Sequence, residues 1–302
     1  MHYKEKVKTI FEEIEPALEL FDWRRKEALV KTKHLKMVLF VVWAILTVLV
    51  LALPMNFPLK IIISTAIIGI CIGVSATHRR NYVNKFKKDL SELLFDRQGI
   101  KATHESFNHL YSGHFEQSGL FEDANNYTGD DLITGTKNGL YFIGSELKAA
   151  YVRRRKKMPD INRTIFDGIY LCAELPKDIM TTVTIYSRAF KFESYKKIAE
   201  GDFDTLSKSF DKIFEVEYQD YDQTSHLLTP DFMKALVAFK EKHKYPFILK
   251  VSRNQVYLAV QEDKDFFKID LKMAAHDQKG FEQFAEDCQF FFDVVKLLEE
   301  VK

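Results

Sequence analysis

Two long apolar runs near the start of the chain constrain its fold more than any other feature. Met37–Leu53 holds seventeen residues without a charge, and Phe57–Ala76 holds one charge, Lys60, close to its start. A helix of about 17–25 apolar residues crosses the hydrocarbon core of a bilayer. A signal peptide would begin near residue 1, but 36 residues come first here. We therefore predict a transmembrane helical hairpin over residues 37–76, in contact with the lipid bilayer.

The turn and the flanking charges predict the orientation of this hairpin. The connection from Pro54 to Pro58 has no charge, whereas Lys and Arg cluster before the first run, from Arg24 to Lys36, and after the second, from Arg79 to Lys88. Positive loops stay on the cytoplasmic side. Lys60 lies beside the turn and can extend its amine outward. The sequence thus predicts a multi-pass protein of the cell (inner) membrane with both termini in the cytoplasm.

Apolar stripes continue on both sides of the hairpin. Tyr3, Val7 and Ile10 begin one helical stripe, in which Pro16 permits a break, and Tyr82 to Leu94 form another. The two extensions either pack together as a short stalk or lie separately on the inner leaflet. The predicted divisions are a cytoplasmic amphipathic helix (1–36), the transmembrane hairpin (37–76), a cytoplasmic juxtamembrane helix (77–98) and a cytoplasmic α+β domain (99–302).

The α+β domain is predicted from alternating patterns and turn signals. Asn138-Gly139 between apolar segments is a strong hairpin signal, and Thr229-Pro230-Asp231 is a helix start. The other predicted elements are a helix over 104–114, strands over 163–174 and 181–186 with a turn at Pro176, a helix over 202–213, a strand over 214–218, a hairpin over 247–260, a strand over 266–271 and a helix over 281–298. The fold class is therefore a mostly antiparallel sheet of about seven strands, in a pleckstrin-homology-like order, closed by the C-terminal helix.

Charge, cysteine content and motif spacing exclude several functions. A net charge of +1 is wrong for a protein that binds polyanions by bulk charge, and three cysteines exclude a disulfide scaffold. His104-Glu105-Ser106-Phe107-Asn108 has Asn where a zinc protease has its second His. Gly129-Asp130-Asp131 could bind a cation or be the solvated entry to a strand. We predict no catalytic residue, no metal site and no cofactor.

One basic run is the candidate contact site. Its residues are Arg153, Arg154, Arg155, Lys156 and Lys157. Near a membrane such a run attracts anionic headgroups at about 1 kcal/mol per charge. A solvated hairpin tip is the simpler interpretation, and nucleic acid is disfavoured because the protein is nearly neutral.

Several short motifs occur in a particular order along the chain. They are Phe115-x-x-Ser118-x-Leu120-Phe121, Tyr127-x-Gly129-Asp130-Asp131, Gly135, Glu146, Ile165-Phe166-Asp167-Gly168, Phe214-x-Val216 and Leu228-Thr229-Pro230. With two apolar runs ahead of them, they resemble the bacterial membrane proteins catalogued as domain of unknown function 3137, over most of residues 30–300. The resemblance implies no activity. It implies that the motif glycines serve turns and close strand contacts and that the aromatic residues form core.

Three functional hypotheses follow. The first is a non-enzymatic inner-membrane protein whose cytoplasmic domain binds a protein partner, a second copy of itself or the anionic membrane surface. The second is a membrane-tethered enzyme that combines scattered acids, namely Asp130, Asp131, Glu146 and Asp167. Burial of these acids with raised pKa values would favour it. The third is an oligomeric transport component.

Overall fold

A computed structural model describes residues 2–156, 159–190, 193–197, 203, 205, 207–262, 264–269 and 277–301. The side chains of residues 2–9, 78, 177 and 278 lie outside this description. The chain forms two compact units. One comprises Met1–Phe86 with Ile269–Phe284, and the other comprises Lys87–Lys268 with Ala285–Lys302.

The first unit is built on two long helices, α1 (His2–Ala52) and the part of α2 (Phe57–Asp96) that ends at Phe86. The short connection between them confirms the turn predicted from the two prolines. The helices pack as an antiparallel pair, with the Phe21 and Phe86 rings 5.7 Å apart and the Cys71 thiol donating to the Leu39 carbonyl at 3.6 Å. Both helices are long and apolar enough to cross a membrane by length and composition alone.

Pro16 does not break α1, although the sequence permitted a break there. The helix is continuous through Pro16. A proline inside a helix removes one backbone hydrogen bond, but its neighbours Ile14 and Leu18 are almost fully buried. Both neighbours are thus packed within a helix that continues without a restart.

The second unit contains an antiparallel sheet. Its strands are β1 (Lys101–Glu105), β2 (Asn126–Lys137), β3 (Leu140–Arg153), β4 (Ile161–Ser187), β5 (Phe214–Tyr218) and β6 (Phe247–Gln261). Their order is β1-β2-β3-β4-β5, with β6 on the other edge of β4. Asn138 and Gly139 have φ values of 50° and 84°, as the predicted tight hairpin turn between β2 and β3 requires. The α+β class and the antiparallel sheet are confirmed.

Two predicted interruptions are absent from the long strands. The predicted turn at Pro176 is an irregular stretch within β4, and the predicted hairpin over 247–260 is the single strand β6. Arg253 has φ 56° but pairs with Ile179, where the β4 register shifts. The local turn signals therefore produce matched irregularities in two paired strands and do not reverse the chain.

The predicted strand over 266–271 is also absent in 266–269, and residues 270 and 271 lie outside the described residues. The described part of the chain has six strands in place of about seven. The pleckstrin-homology-like order stays a prediction.

The described residues contain five further helices: α3 (Ser112–Gln117), α4 (Lys208–Asp211), α5 (Tyr221–Leu227), α6 (Pro230–His243) and α7 (Gln278–Leu298). The predicted start of α6 is confirmed, since Thr229 Oγ1 accepts from the Phe232 N–H at 3.2 Å. The helix predicted over 104–114 is wrong, because its first residues pair with β2 as strand β1. The helix predicted over 202–213 is short, and residues 202, 204 and 206 lie outside the described residues.

The aromatic motif residues form the core beside the sheet, as the resemblance implied. The Phe115 ring stacks on Phe121 at 5.2 Å and lies 5.0 Å from Tyr170. Phe166 also packs on Phe121 at 5.2 Å. On α7 the predicted apolar face is buried, including Phe281, Phe284, Cys288, Phe291, Val295 and Leu298.

Candidate functional site

An acidic cleft of about 370 Å³ lies in the second unit, where β2, β3 and β4 run side by side. The segment that follows β6 forms its remaining wall. The charged residues that line the cleft are Asp130, Glu146, Lys148, Asp167, Glu262, Lys264 and Asp265. Acids outnumber lysines in this lining, so the cleft is electronegative.

Two glycines let the strands approach closely below this cleft. A Cβ on Gly129 would lie 2.1 Å from the carbonyl oxygen of Glu146. A Cβ on Gly168, which has φ 149°, would lie 2.1 Å from the carbonyl oxygen of Val260. Only glycine fits such contacts. The structure thus confirms that these two motif glycines serve close strand contacts.

A bulge in β2 turns Asp131 into the protein interior. The β2–β3 register shifts between Asp130 and Ile133, and Asp131 has φ 52°. Its carboxylate is 1% exposed and accepts from Lys87 Nζ at 2.7 and 2.9 Å. His104 Nε2 lies 2.8 Å from the same Asp131 Oδ1. The buried charge of Asp131 is therefore matched by the ammonium of Lys87.

Asp130 and Glu146 form an acid pair on the cleft floor. They are opposite each other across β2 and β3, and their side chains hydrogen-bond. Burial raises the pKa of Glu146 to about 8; the hydrogen bond from the Phe266 N–H opposes this rise, and the charges of Asp130, Asp131 and Asp265 add to it. Burial also raises the pKa of Asp130, reinforced by Asp131 and opposed by Lys87. Two hydrogen-bonded carboxyls with raised pKa values hold a proton between them at neutral pH.

Lys87 already pairs with one of the three acids that a cation would bridge. Carboxylate oxygens of Asp130, Asp131 and Glu146 lie within 4.8 Å of one another, close enough for one ion to bridge them. Both oxygens of Asp131 already accept from Lys87. This leaves Asp130 and Glu146 as a carboxyl pair, and we do not assign a metal site to it.

The segment Lys264–Lys268, called the strap below, is attached to the cleft floor and to α7. The Phe266 N–H donates to Glu146 Oε1. The Phe267 N–H donates to Asp287 Oδ2 at 2.8 Å, and Lys264 forms an ion pair with the same carboxylate. The rings of Phe266 and Phe267 are both buried. Glu262 also accepts from the Lys264 N–H at 3.0 Å, so three carboxylates outside the strap contact it.

The structure brings together three of the four acids that the sequence proposed for an enzyme site. Asp130, Asp131 and Glu146 form the cluster, and Asp167 lines the same cleft but is exposed and paired with Lys148 at 2.6 Å. Sequence reasoning missed Lys87, His104 and Asp265. Lys87 was counted only among the basic residues that follow the second apolar run, and its buried contact with Asp131 is visible only in the structure.

The basic run lies away from this cleft. Arg153, Arg154, Arg155 and Lys156 are exposed where β3 ends, and Lys157 lies outside the described residues. The Arg155 N–H donates to Asp160 Oδ1 at 2.9 Å. Arg153 is seven residues beyond Glu146 on β3, which is about 23 Å along an extended strand.

A comparison with protein-family models finds a match for the C-terminal part of the chain. Residues 164–300 match DUF3137, described as "Protein of unknown function". The match confirms the resemblance over that range. Its residues include the Ile165–Gly168 and Leu228–Pro230 motifs. The DUF3137 range supplies the β4 side of the cleft and the strap, whereas Asp130, Asp131 and Glu146 precede it.

The other comparisons add little to the DUF3137 match. Among solved structures the chain is similar to the mycobacterial trehalose monomycolate transport factor A, TtfA. The identity is 9% over 68% of this chain and 93% of that chain, with a TM-score of 0.31. At this level the similarity implies nothing about the function of the chain. No curated protein matches it.

Proposed function

We propose that the chain is a two-span protein of the bacterial inner membrane with a cytoplasmic binding domain. One observation carries the membrane assignment: most apolar side chains of the two apolar runs are exposed. Phe40, Phe57 and Ile70 are 64%, 68% and 67% exposed. A soluble protein rarely exposes a contiguous apolar patch beyond a few hundred Å². Lipid tails would cover this surface.

Two polar groups of the second proposed span are consistent with this assignment. Thr65 donates to the Ile61 carbonyl at 2.9 Å. Lys60 Nζ donates to the Leu51 carbonyl at 2.6 Å, near the end of α1. Polar groups must be satisfied internally where water is absent. The one charge in the second run thus has a partner beside the turn.

Charges flanking the spans support an orientation with both termini in the cytoplasm. Lys33 and Lys36 before the first span, and Arg79, Arg80 and Lys85 after the second, are exposed. Lys87 and Arg25 were counted as flanking charges from the sequence, but each is buried beside an aspartate, Asp131 and Asp22 respectively. Exposed basic residues remain on both sides of the hairpin, so the positive-inside argument holds without these two.

Cysteine labelling in membrane vesicles tests the topology. In a background without the natural cysteines, Met55→Cys would report on the turn and Ser209→Cys on the domain. We expect an impermeant maleimide to label Met55→Cys in right-side-out vesicles and Ser209→Cys in inverted vesicles. Labelling of both positions from one side would overturn the two-span topology.

We assign the anionic inner leaflet as the binding partner of the domain, through Arg153–Lys157. The support is the exposure of Arg153, Arg154, Arg155 and Lys156 at one strand end. Several such charges attract an anionic membrane with an energy of about 1 kcal/mol each. A protein partner is the alternative.

Energy transfer in nanodiscs can test this contact on the full chain. A donor dye on Tyr111→Cys and an acceptor dye on lipid headgroups would report the approach of the domain. We expect higher transfer with anionic than with neutral lipid, and loss of the difference in about 0.5 M NaCl or when residues 153–157 are all Ser. The control replaces the exposed pair Lys208 and Lys212 with Ser. Equal energy-transfer efficiency with anionic and neutral lipid would favour a protein as the binding partner of the domain.

A membrane-tethered enzyme is the second candidate, and the Asp130–Glu146 pair favours it. A carboxyl that holds its proton near pH 8 beside other carboxylates suits general acid–base catalysis. The test is turnover of a panel of ester and glycoside substrates by the full chain. Activity lost in Asp130→Asn and Glu146→Gln but kept in Asp167→Asn would support an enzyme. Equal activity in all four proteins would argue against this site.

A further inference from the structure

We propose that the chain pairs with a second copy of itself through an exposed apolar stripe on α1. The stripe, named the outer stripe here, runs from Leu20 to Leu51. The inference rests on the proposed two-span topology, because the height of α1 in the membrane depends on it, and it adds the partner that α1 takes.

The outer stripe lies on the side of α1 that faces away from α2. On the opposite side, Leu18 and Phe21 are buried, and the Phe21 ring packs on Phe86 of α2 at 5.7 Å. Leu20 and Trp23, by contrast, are 47% and 61% exposed. Because successive residues turn by about 100° around a helix, these two lie roughly half a turn from Leu18. The packing of α1 on α2 thus leaves the outer stripe exposed.

The start of the outer stripe lies beyond the reach of lipid. The helix is continuous from His2 to Ala52, and Trp23 precedes Met37, where the proposed span begins, by fourteen residues. This separation is about 21 Å along the helix axis. The headgroup region extends only about 5–8 Å beyond the hydrocarbon core on each side. Protein, and not lipid, must therefore cover Trp23 and Leu20 if their apolar area is to leave water.

The apolar residues of the outer stripe recur at intervals of seven. One line consists of Trp23, Val30, Met37, Ala44 and Leu51. The adjacent line consists of Leu20, Val41 and Val48. Two helices that repeat apolar residues every seven positions wind around each other as a coiled coil. The repeat continues through Met37 into the span, so the matching partner is a helix that also passes from the cytoplasm into the membrane.

A second copy of the chain supplies such a helix. Copies inserted in the same orientation hold their α1 helices parallel, and they place each residue of the outer stripe at the same height as its counterpart. The stripe is therefore complementary to itself, as an interface between two-fold related subunits requires. A different membrane protein would need the same seven-residue repeat at the same distance from the bilayer.

The charges that flank the start of the outer stripe suit a parallel pair. In a parallel coiled coil, a residue on one flank meets the residue five positions further along on the opposite flank of the partner helix. Glu19 and Arg24 stand in this relationship. Pairing would bring Glu19 of each copy to Arg24 of the other. Opposite charges would thus meet on both flanks at the end of the stripe farthest from the membrane.

The polar positions within the outer stripe are Glu27 and His34. Glu27 pairs with Lys31 of its own helix at 2.7 Å, and Lys26 pairs with Asp22 at 2.9 Å. Lys26 and Lys31 flank the stripe where two lysines would meet in the pair, so the acid beside each of them offsets their repulsion. A polar residue in an otherwise apolar line fixes the register of a coiled coil, and Glu27 has this role.

Disulfide formation in liposomes tests the pairing directly. The purified full chain, in the background without the natural cysteines, would be reconstituted at a high ratio of lipid to protein. Val30→Cys, on the outer stripe, should form a dimer at least about tenfold faster than Leu29→Cys, because parallel pairing holds only the stripe positions together. Leu29 is the matched control, since it is 40% exposed but lies on another face of α1. Equal rates at the two positions would indicate random collision and would overturn the proposal.

A count of the copies in each assembly gives a second test. The chain would be labelled with a dye at Ser209→Cys and reconstituted in vesicles that hold few copies, and its photobleaching steps would be counted. The otherwise unaltered chain should show two steps. Val30→Arg should show one step, because two arginines would meet in the pair, whereas Leu29→Arg should keep two. Both arginine variants should resist carbonate extraction equally.

The topology is scored separately, by maleimide labelling of Met55→Cys in matched preparations. Where that labelling shows two spans, single steps in the chain without an arginine substitution would overturn the pairing and leave the topology intact. Two steps in Val30→Arg would show that copies associate through a different surface and would also overturn the proposal. Labelling that contradicts the two spans would overturn the topology, and the pairing with it.

Discussion

Lys87 donates hydrogen bonds from Nζ to both carboxylate oxygens of Asp131, at 2.7 and 2.9 Å. Both side chains are buried, and their contact attaches the last turns of α2 to the bulge of β2. A buried pair of this kind contributes little net stability when compared with apolar residues, but removal of one partner is costly because the other charge stays buried.

Lys87→Met should therefore destabilise the second unit by about 3–5 kcal/mol. Thermal unfolding of the full chain in detergent, followed by circular dichroism, would measure the change. The double variant Lys87→Met with Asp131→Asn removes both charges and should recover part of the loss. Equal stability of Lys87→Met and wild type would show that the pair is solvated.

Glu146→Gln should change how stability depends on pH. The folded pKa of Glu146, about 8, lies above that of the unfolded chain. Its contribution is therefore fully present below about pH 4.5 and is lost as pH rises toward 8. The variant should match wild type near pH 4.5 and be more stable at pH 8.

We expect a gain for Glu146→Gln of about 1–2 kcal/mol at pH 8, well below the full shift because solvent reaches part of the side chain. Denaturant titrations at the two pH values would give the difference. A gain of the same size at both values would point to packing as its cause.

Gly168→Ala should destabilise the sheet by about 2–4 kcal/mol, because its Cβ would meet the Val260 carbonyl in a backbone conformation reserved for glycine. Gly280→Ala is the matched control. There the nearest atom would be 3.5 Å away, and alanine favours a helix by up to about 1 kcal/mol. Melting temperatures of the two variants should move in opposite directions.

Ile45→Arg should impair membrane insertion. The residue is exposed in the centre of the first proposed span, where arginine costs about 2.5–3.5 kcal/mol on insertion scales. Val30→Arg, at an exposed position of the same helix outside the span, should insert normally. Membrane insertion of each variant is measured as the fraction of the protein that stays in the membrane during carbonate extraction. Insertion of Ile45→Arg at the wild-type level would contradict the proposed span.

The elements that the sequence predicted correctly have strong local signals. Asn138-Gly139 specifies a turn through its backbone conformation, and Thr229 specifies a helix start through one hydrogen bond. The predictions that were wrong concern residues whose secondary structure depends on pairing with residues distant in the sequence. Residues 101–105 lie in β1 because Leu132–Thr136 pairs with them, and no pattern of five residues encodes that pairing.

The cleft was predictable only in part. The sequence identified Asp130, Asp131 and Glu146 as candidate acids. Their proximity, however, depends on the bulge at Asp131 and on glycines that allow neighbouring strands to approach closely. The roles of Lys87 and His104 depend on long-range contacts that a helical stripe or a lone histidine does not indicate. Sequence reasoning therefore identified the ionisable acids but not their counter-charges.

The 27-residue length of β4 has a consequence during synthesis. Its second edge pairs with β6, which ends at Gln261, so that edge remains bare until more than seventy further residues have left the ribosome. A long unpaired strand edge is a template for pairing with other chains. Nascent chains on neighbouring ribosomes are thus most exposed to mutual aggregation in this interval, and slower elongation between Ser187 and Phe247 should lower the yield of folded protein.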